Sequence, residues 1–176
     1  MRKFLLIASA VASLAAAPSH AATVAASLTV SASLQAQCRV KSGEDNQTLS
    51  FSYTAFAASD VNQTAPLTIT FECTRGLAAP TVVFDNDGAT GNKTSDAAAA
   101  SAVTGKGVVG GLQYEITATR GTTTTGTAAS ASSIGSAATV PYTITGKIYA
   151  DQAGTQGGGA ATTATSTQAR TLTLTY

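Results

Sequence analysis

Thr23-Val-Ala-Ala-Ser-Leu-Thr-Val-Ser-Ala-Ser-Leu34 alternates apolar and small polar residues. Val24, Ala26, Leu28, Val30, Ala32 and Leu34 fall on one side, and Thr23, Ala25, Ser27, Thr29, Ser31 and Ser33 on the other. Only Ala25 blurs the pattern. A period of two over this run predicts a strand with one dry face and one wet face. Fully extended, it reaches about 40 Å, long against a usual strand of about 5–6 residues. It stands where the mature chain is expected to begin, a place where chains are loose unless tied down. Two readings are open. The run is either the first strand of the chain's own sheet or a strand donated to a neighbouring molecule.

What precedes it reads as a leader. Arg2 and Lys3 form a short basic region, and Phe4 to Ala17 is apolar. Ser19-His20-Ala21 places small residues at the two positions a signal peptidase inspects, so cleavage is expected after Ala21. The apolar run is too short to span a bilayer well, and no other stretch is apolar enough. Residues 1–21 are therefore expected as a signal peptide, and the remainder as an exported protein with no membrane span.

Export bears on the rest of the composition. Of the 10 Lys and Arg, Arg2 and Lys3 leave with the leader, so 8 positive charges face 9 negative ones, a net of −1. No basic patch is visible, which argues against a nucleic-acid partner. Charged residues are 11% of the chain, far below the roughly 25% of ordinary globular proteins, so solubility must come from hydroxyls and backbone. The chain has no Trp and few other aromatics, so Val, Ile and Leu must build much of the core. Cys38 and Cys73 are the only cysteines, and in an exported protein an isolated pair reads as one disulfide. Closing that loop would remove about 4 kcal/mol of denatured-state freedom on the chain-entropy model. A metal site is the weaker alternative, because two thiolates with no histidine nearby do not complete a tetrahedral shell.

Short alternating runs then recur. Leu49-Ser-Phe51-Ser-Tyr53, Leu67-Thr-Ile69-Thr-Phe71-Glu-Cys73 and Leu112-Gln-Tyr114-Glu-Ile116-Thr-Ala118 each read as a strand. Thr81-Val-Val-Phe84 is a short apolar strand. Asp85 to Gly111 reads as a long connection, with an alanine run at Ala97–Ala100 too short for a stable helix. Gly121 to Ala138 is low-complexity Thr, Ser, Ala and Gly, read as a loop or weak edge strand. Val140-Pro-Tyr142-Thr-Ile144 and Lys147-Ile148-Tyr149 read as one strand interrupted at Gly146 by a bulge or bend. Asp151 to Thr167 reads as a Gly- and Thr-rich connection. Arg170-Thr-Leu172-Thr-Leu174-Thr-Tyr176 closes the chain, with Leu172, Leu174 and Tyr176 on one face. These elements predict an antiparallel β-sandwich. The closing strand presents an apolar edge that needs a partner.

Catalytic patterns are absent. The one histidine, His20, lies in the leader, which removes His-based triads and most metal sites. Asp85 and Asp87 with Gly88 begin like a calcium loop but lack its third and closing ligands, so a hairpin turn is the expected reading. Gly105, Gly107, Gly110 and Gly111 are not followed by Lys-Ser/Thr or a helix, so they are no phosphate loop. The acidic residues are few and scattered. No enzyme, catalytic residue, metal or cofactor is expected.

Taken together, these runs resemble the spore coat protein U domain, the pilin domain of archaic (Csu-type) chaperone–usher pili. The carriers are the alternating run before Cys38, Leu49–Tyr53, Leu67–Cys73, Leu112–Ile116, Val140-Pro-Tyr142 with Gly146-Lys-Ile148, and the aromatic-ended Leu172–Tyr176. The family often has glycine where Ser52 stands, and a Gly-Tyr-Asp pattern where this chain has Thr163 to Gln168. The resemblance implies an incomplete immunoglobulin-like sandwich over residues 35–176, completed by a donor strand from a neighbouring subunit. Residues 22–34 would be that donor, with Val24, Ala26, Leu28, Val30, Ala32 and Leu34 facing the groove. Leu172, Leu174 and Tyr176 would line the acceptor side. It further implies a periplasmic chaperone, an outer-membrane usher and identical or related pilin subunits as partners, with the protein ending as a fimbrium on the cell surface. The single domain suggests a repeating shaft subunit. The alternative is a monomeric secreted β-sandwich that binds a ligand or forms a coat.

Overall fold

The computed structural model describes residues 26–77, 80–85, 102–155 and 164–176. The leader, Val24, the alanine run Ala97–Ala100 and the Asp87–Gly88 turn lie outside the described residues.

The 35–176 unit is built on one long strand. Val140, Tyr142, Ile144 and Ile148 alternate with Pro141, Thr143, Thr145 and Lys147, and the first set is buried. Strands in chain order are β1 (Cys38–Val40), β2 (Val61–Asn62), β3 (Leu67–Cys73), β4 (Thr81–Phe84), β5 (Ala102–Val109), β6 (Leu112–Arg120), β7 (Ala138–Ile148) and β8 (Leu172–Thr175). One sheet runs β1-β3-β7-β6-β5, with β2 also on β7, and a second pairs β4 with β8. All ladders are antiparallel. The result is an all-β antiparallel sandwich of the immunoglobulin-like kind.

Three expectations change. The supposed connection before Gly111 contains β5, eight residues long. Its alternation is hidden because Gly105 and Gly107 hold two inward positions between Val103 and Val109, while Thr104, Lys106 and Val108 take the others. Gly110 and Gly111 close the β5–β6 hairpin with φ of 57° and 72°. Positive φ at both central residues is the type I′ turn that matches strand twist, and only glycine adopts it without strain. Second, β7 is not interrupted: Gly146 pairs with Ile116 in an unbroken register from Arg120↔Tyr142 to Tyr114↔Ile148. Third, Leu49–Tyr53 alternates in burial but joins no ladder.

Both misread glycines have the same physical cause. Gly105, Ile116 and Gly146 form one inward row across β5, β6 and β7. A Cβ on Gly105 would lie 3.0 Å from Phe84 Cβ. On Gly146 it would lie 2.8 Å from Leu49 Cδ2 and 2.9 Å from Phe51 Cζ. Side chains from the facing layer thus rest on bare backbone. The core around them includes Phe71, Val82, Val103, Tyr114, Ala118 and Tyr142, with the Phe71 and Tyr142 rings edge to face at 6.0 Å.

Of Gly121 to Ala138, expected as a loop or weak edge strand, Ala138 begins β7, and the rest lies outside the named strands but has internal order. Hydroxyl pairs tie its two sides at Thr124–Thr139 (2.9 Å), Thr127–Ser136 (2.9 Å) and Ser130–Ser133 (2.7 Å). Beside β1, Glu44 accepts from the Thr70 backbone N–H at 2.5 Å and pairs with Lys41 at 3.2 Å. Burial pushes the Glu44 carboxyl up, but the Thr70 N–H and Lys41 outweigh it and hold the pKa below its ordinary value.

Two outcomes follow from these contacts. Gly105→Val and Gly146→Val are each expected to lower stability by about 1–3 kcal/mol through overpacking, read as a shift of the urea midpoint. A carboxyl whose pKa is depressed by folding stabilises the fold above its unfolded value and loses that contribution as pH falls through the folded value. Urea titrations from pH 7 to pH 3 should therefore show acid destabilisation below about 4.5, and Glu44→Gln should lessen it.

Candidate functional site

β8 is paired along one edge only among the described residues, as β1, β2, β4 and β5 are. It meets β4 through Thr81↔Thr175, Val82↔Leu174, Val83↔Thr173 and Phe84↔Leu172. Its other edge carries no ladder among the described residues. Leu172 and Leu174 point to the core and are half-buried, while Thr173 and Thr175 are exposed. Tyr176, expected on the same face, stands outside the strand and is 57% exposed. The structure thus brings two of the three expected residues to the core and leaves the third in solvent.

Leu49–Tyr53 is a second extended segment that joins no ladder among the described residues. Leu49 and Phe51 rest on Gly146, and the Thr64 N–H donates to Ser50 O at 2.9 Å. The Tyr53 hydroxyl accepts from Gln152 N at 2.9 Å and donates to Gln152 O at 3.2 Å. Leu49, Phe51, Tyr53, Leu67 and Ile69 are all only partly buried against the core.

The N-terminal segment, taken by itself, shows the opposite condition. Ala26 to Leu34 is exposed throughout and joins no ladder. Leu28, Val30 and Leu34 are 87%, 85% and 82% exposed, and Ala26 and Ala32 are exposed with them. The chain continues from this segment into β1, where Cys38 and Cys73 face each other and are joined as a disulfide. Thr74 N donates to Gln37 O at 2.8 Å, and Gln37 N donates to Thr74 Oγ1 at 2.9 Å, fixing the residue just before the bridge.

The two arginines that bind the β4–β8 layer to the larger sheet were not singled out from the sequence. Arg120 donates from Nη2 to Pro80 O, at the entrance to β4. Arg170 donates from Nε to Asp85 Oδ1 (2.7 Å), from Nη1 to Lys106 O (3.0 Å) and Tyr114 OH (2.9 Å), and from Nη2 to Asp85 O (2.9 Å). The Tyr114 hydroxyl donates onward to Gln168 Oε1 at 2.5 Å. Burial would lower the Arg170 pKa, but the Tyr114 hydroxyl and Asp85 carboxylate more than offset it and hold it raised. One signal was present: Arg170 is the only charged residue between Asp151 and Tyr176.

Three further pairs of opposite charge form among the described residues. Arg39 meets Glu72 at 2.8 Å, Lys147 meets Asp60 at 2.9 Å, and Lys106 meets Glu115 at 3.6 Å. The Tyr149 hydroxyl donates to Glu115 Oε2 at 2.9 Å, with Lys106 and Lys147 over its ring. No group of three or more His, Cys, Asp or Glu able to hold a metal occurs among the described residues. No helix among them is long and apolar enough to cross a membrane.

A model of the Spore Coat Protein U domain matches residues 24–158, and the chain belongs to that family. Comparison with curated proteins and with solved structures found no match. The matched span begins inside the N-terminal alternating segment and stops before β8. It is a family of structural pilus or coat-type proteins.

Replacing both bridge cysteines, Cys38→Ala with Cys73→Ala, is expected to cost about 2–4 kcal/mol. Urea unfolding measures the loss, and faster amide exchange at Arg39 and Val40 locates it in β1.

Proposed function

We propose that this protein is a structural pilin subunit that polymerises by donor-strand exchange. Residues 22–34 of one subunit add as a strand along the open edge of β8 in the next. The observation that carries this reading is the match of two elements: an exposed, alternating segment that joins no ladder among the described residues, and a strand with half-buried Leu172 and Leu174 whose second edge carries none among them. On this reading a second copy supplies what each lacks. Strand addition gives backbone hydrogen bonds along the edge and pockets for alternate side chains. Burying Val24, Leu28, Val30 and Leu34 is worth roughly 6–12 kcal/mol before association costs. Because donor and acceptor are different surfaces, the contact does not close on itself and builds a fibre.

On this reading an exported subunit needs its open edge covered before assembly, which is the work of a periplasmic chaperone, and an outer-membrane usher exchanges chaperone for donor strand. The product is a cell-surface fimbrium serving adhesion and biofilm formation, and the subunit has no catalytic role. Family membership supports this setting, and the family's description also keeps a second reading in view, a monomeric coat-type sandwich.

The deciding experiment moves residues 22–34 from the front of the chain to a short flexible linker after Tyr176 and compares thermal unfolding with the same chain lacking that segment. A hyperstable monomer beside an unstable or aggregating truncation supports strand exchange. A natural chain that is already a stable monomer, unchanged by the rearrangement, supports the coat reading. Leu28→Asp should block fibre growth while leaving the chaperone-bound subunit folded, and normal fibres from that variant would remove residue 28 from the interface.

A further inference from the structure

β8 is held by a four-residue ladder to β4 and by half-buried Leu172 and Leu174, and its other edge carries no ladder among the described residues. A short strand paired on one side is marginal in water and should fray. Something else must keep it in place. Arg170, two residues before β8, has a side chain only 10% exposed, and its donors reach three other elements. Asp85 follows β4 and offers both its carboxylate and its carbonyl. Lys106 O belongs to β5, and the Tyr114 hydroxyl to β6. The Asp85 N–H donates to Thr171 O at 2.9 Å, which extends the ladder up to the arginine. Gln168 on the Tyr114 hydroxyl adds a second hold on the approach to β8. A planar guanidinium is suited to this task, since its fork reaches several acceptors at once with little loss of freedom per bond. Removing it would leave the Asp85 carboxylate and the Tyr114 hydroxyl without these bonds in a half-buried setting, a costly change.

We infer that Arg170 is a positioning residue that holds β8 in its strand-accepting place before the open edge is filled. The inference rests on the strand-exchange reading. Its consequence is that the acceptor edge is preformed, so a donor strand meets an ordered ladder rather than having to order one. Once a donor is in place, β8 is paired on both edges and the clasp matters little.

The test uses the full mature chain carrying Leu28→Asp, so that it does not fill its neighbours' edges, its Arg170→Met and Tyr114→Phe variants in that background, and a synthetic peptide of residues 23–34. Tyr114→Phe keeps the ring in the core and removes only the hydroxyl, so it guards against a misfolded arginine variant. Amide exchange is measured in β7 and β8 with and without peptide, alongside the rate of peptide capture. Without peptide, Arg170→Met should raise exchange in β8 about tenfold or more while β7 stays protected, and capture should slow by a similar factor. Tyr114→Phe should shift both in the same direction by less. With peptide bound, β8 should be equally protected in all three proteins. The inference is overturned if β8 exchange is unchanged in both variants, or if β7 exchange rises as much as β8, which would mean general destabilisation. If the parent chain fails to capture the peptide, the strand-exchange reading fails, while β8 exchange in the free chain still decides whether Arg170 holds the strand.

Discussion

The approach of the two layers depends on aromatic side chains lying directly on backbone. Phe84 sits over Gly105, and Phe51 with Leu49 sits over Gly146. These glycines share a row with Ile116, so the larger sheet has a large residue flanked by two recesses. A chain with no Trp and few other aromatics has little bulk with which to fill a core. It fills it by close approach instead. Interiors are packed to crystal-like density, and a missing Cβ is as useful as an added methyl when the facing side chain is large. The cost is that two strands carry glycine at inward positions, where it weakens a strand.

That device also explains which elements could be read from sequence. Leu67–Cys73 and Leu112–Ala118 show their alternation plainly, and both are strands with the expected inward residues. β5 was hidden because Gly105 and Gly107 carry no side chain to register hydrophobicity, although Val103 and Val109 frame the correct parity. Gly146 suggested a break for the same reason, yet the ladder passes straight through it. Leu49–Tyr53 shows the reverse error. Its alternation is real and its apolar side chains do reach the core, but periodicity reports burial and says nothing of whether an edge finds a partner. The disulfide pair was legible from composition. The clasp around Arg170 was not, since its acceptors at Asp85, Lys106 and Tyr114 are brought together only by folding.

Low charge shapes the outer surface as well. Thr104, Thr117 and Thr145 line up across β5, β6 and β7, and Thr68, Thr143 and Thr119 across β3, β7 and β6. Cross-strand threonines pack their methyl groups and keep hydroxyls for water, which suits a sheet face with few ions. Where ions occur on this face they come in complementary neighbours, such as Arg39 with Glu72 and Lys106 with Glu115. Exposed pairs of this kind contribute little to stability, so the sheet's strength lies in its ladders and its core.

Cys38–Cys73 has a mechanical meaning. A pull on the backbone at Gln37 enters the domain through β1, which has only three ladder pairs and could be unzipped one pair at a time. The bridge lies at the first of those pairs, so the load passes across a covalent bond into β3 before the hydrogen bonds of β1 are asked to bear it. β3 in turn is bound to β7 by seven pairs, and a force along the strand loads them together. β1 is thereby spared, and tension at the entrance of the domain is borne at its centre.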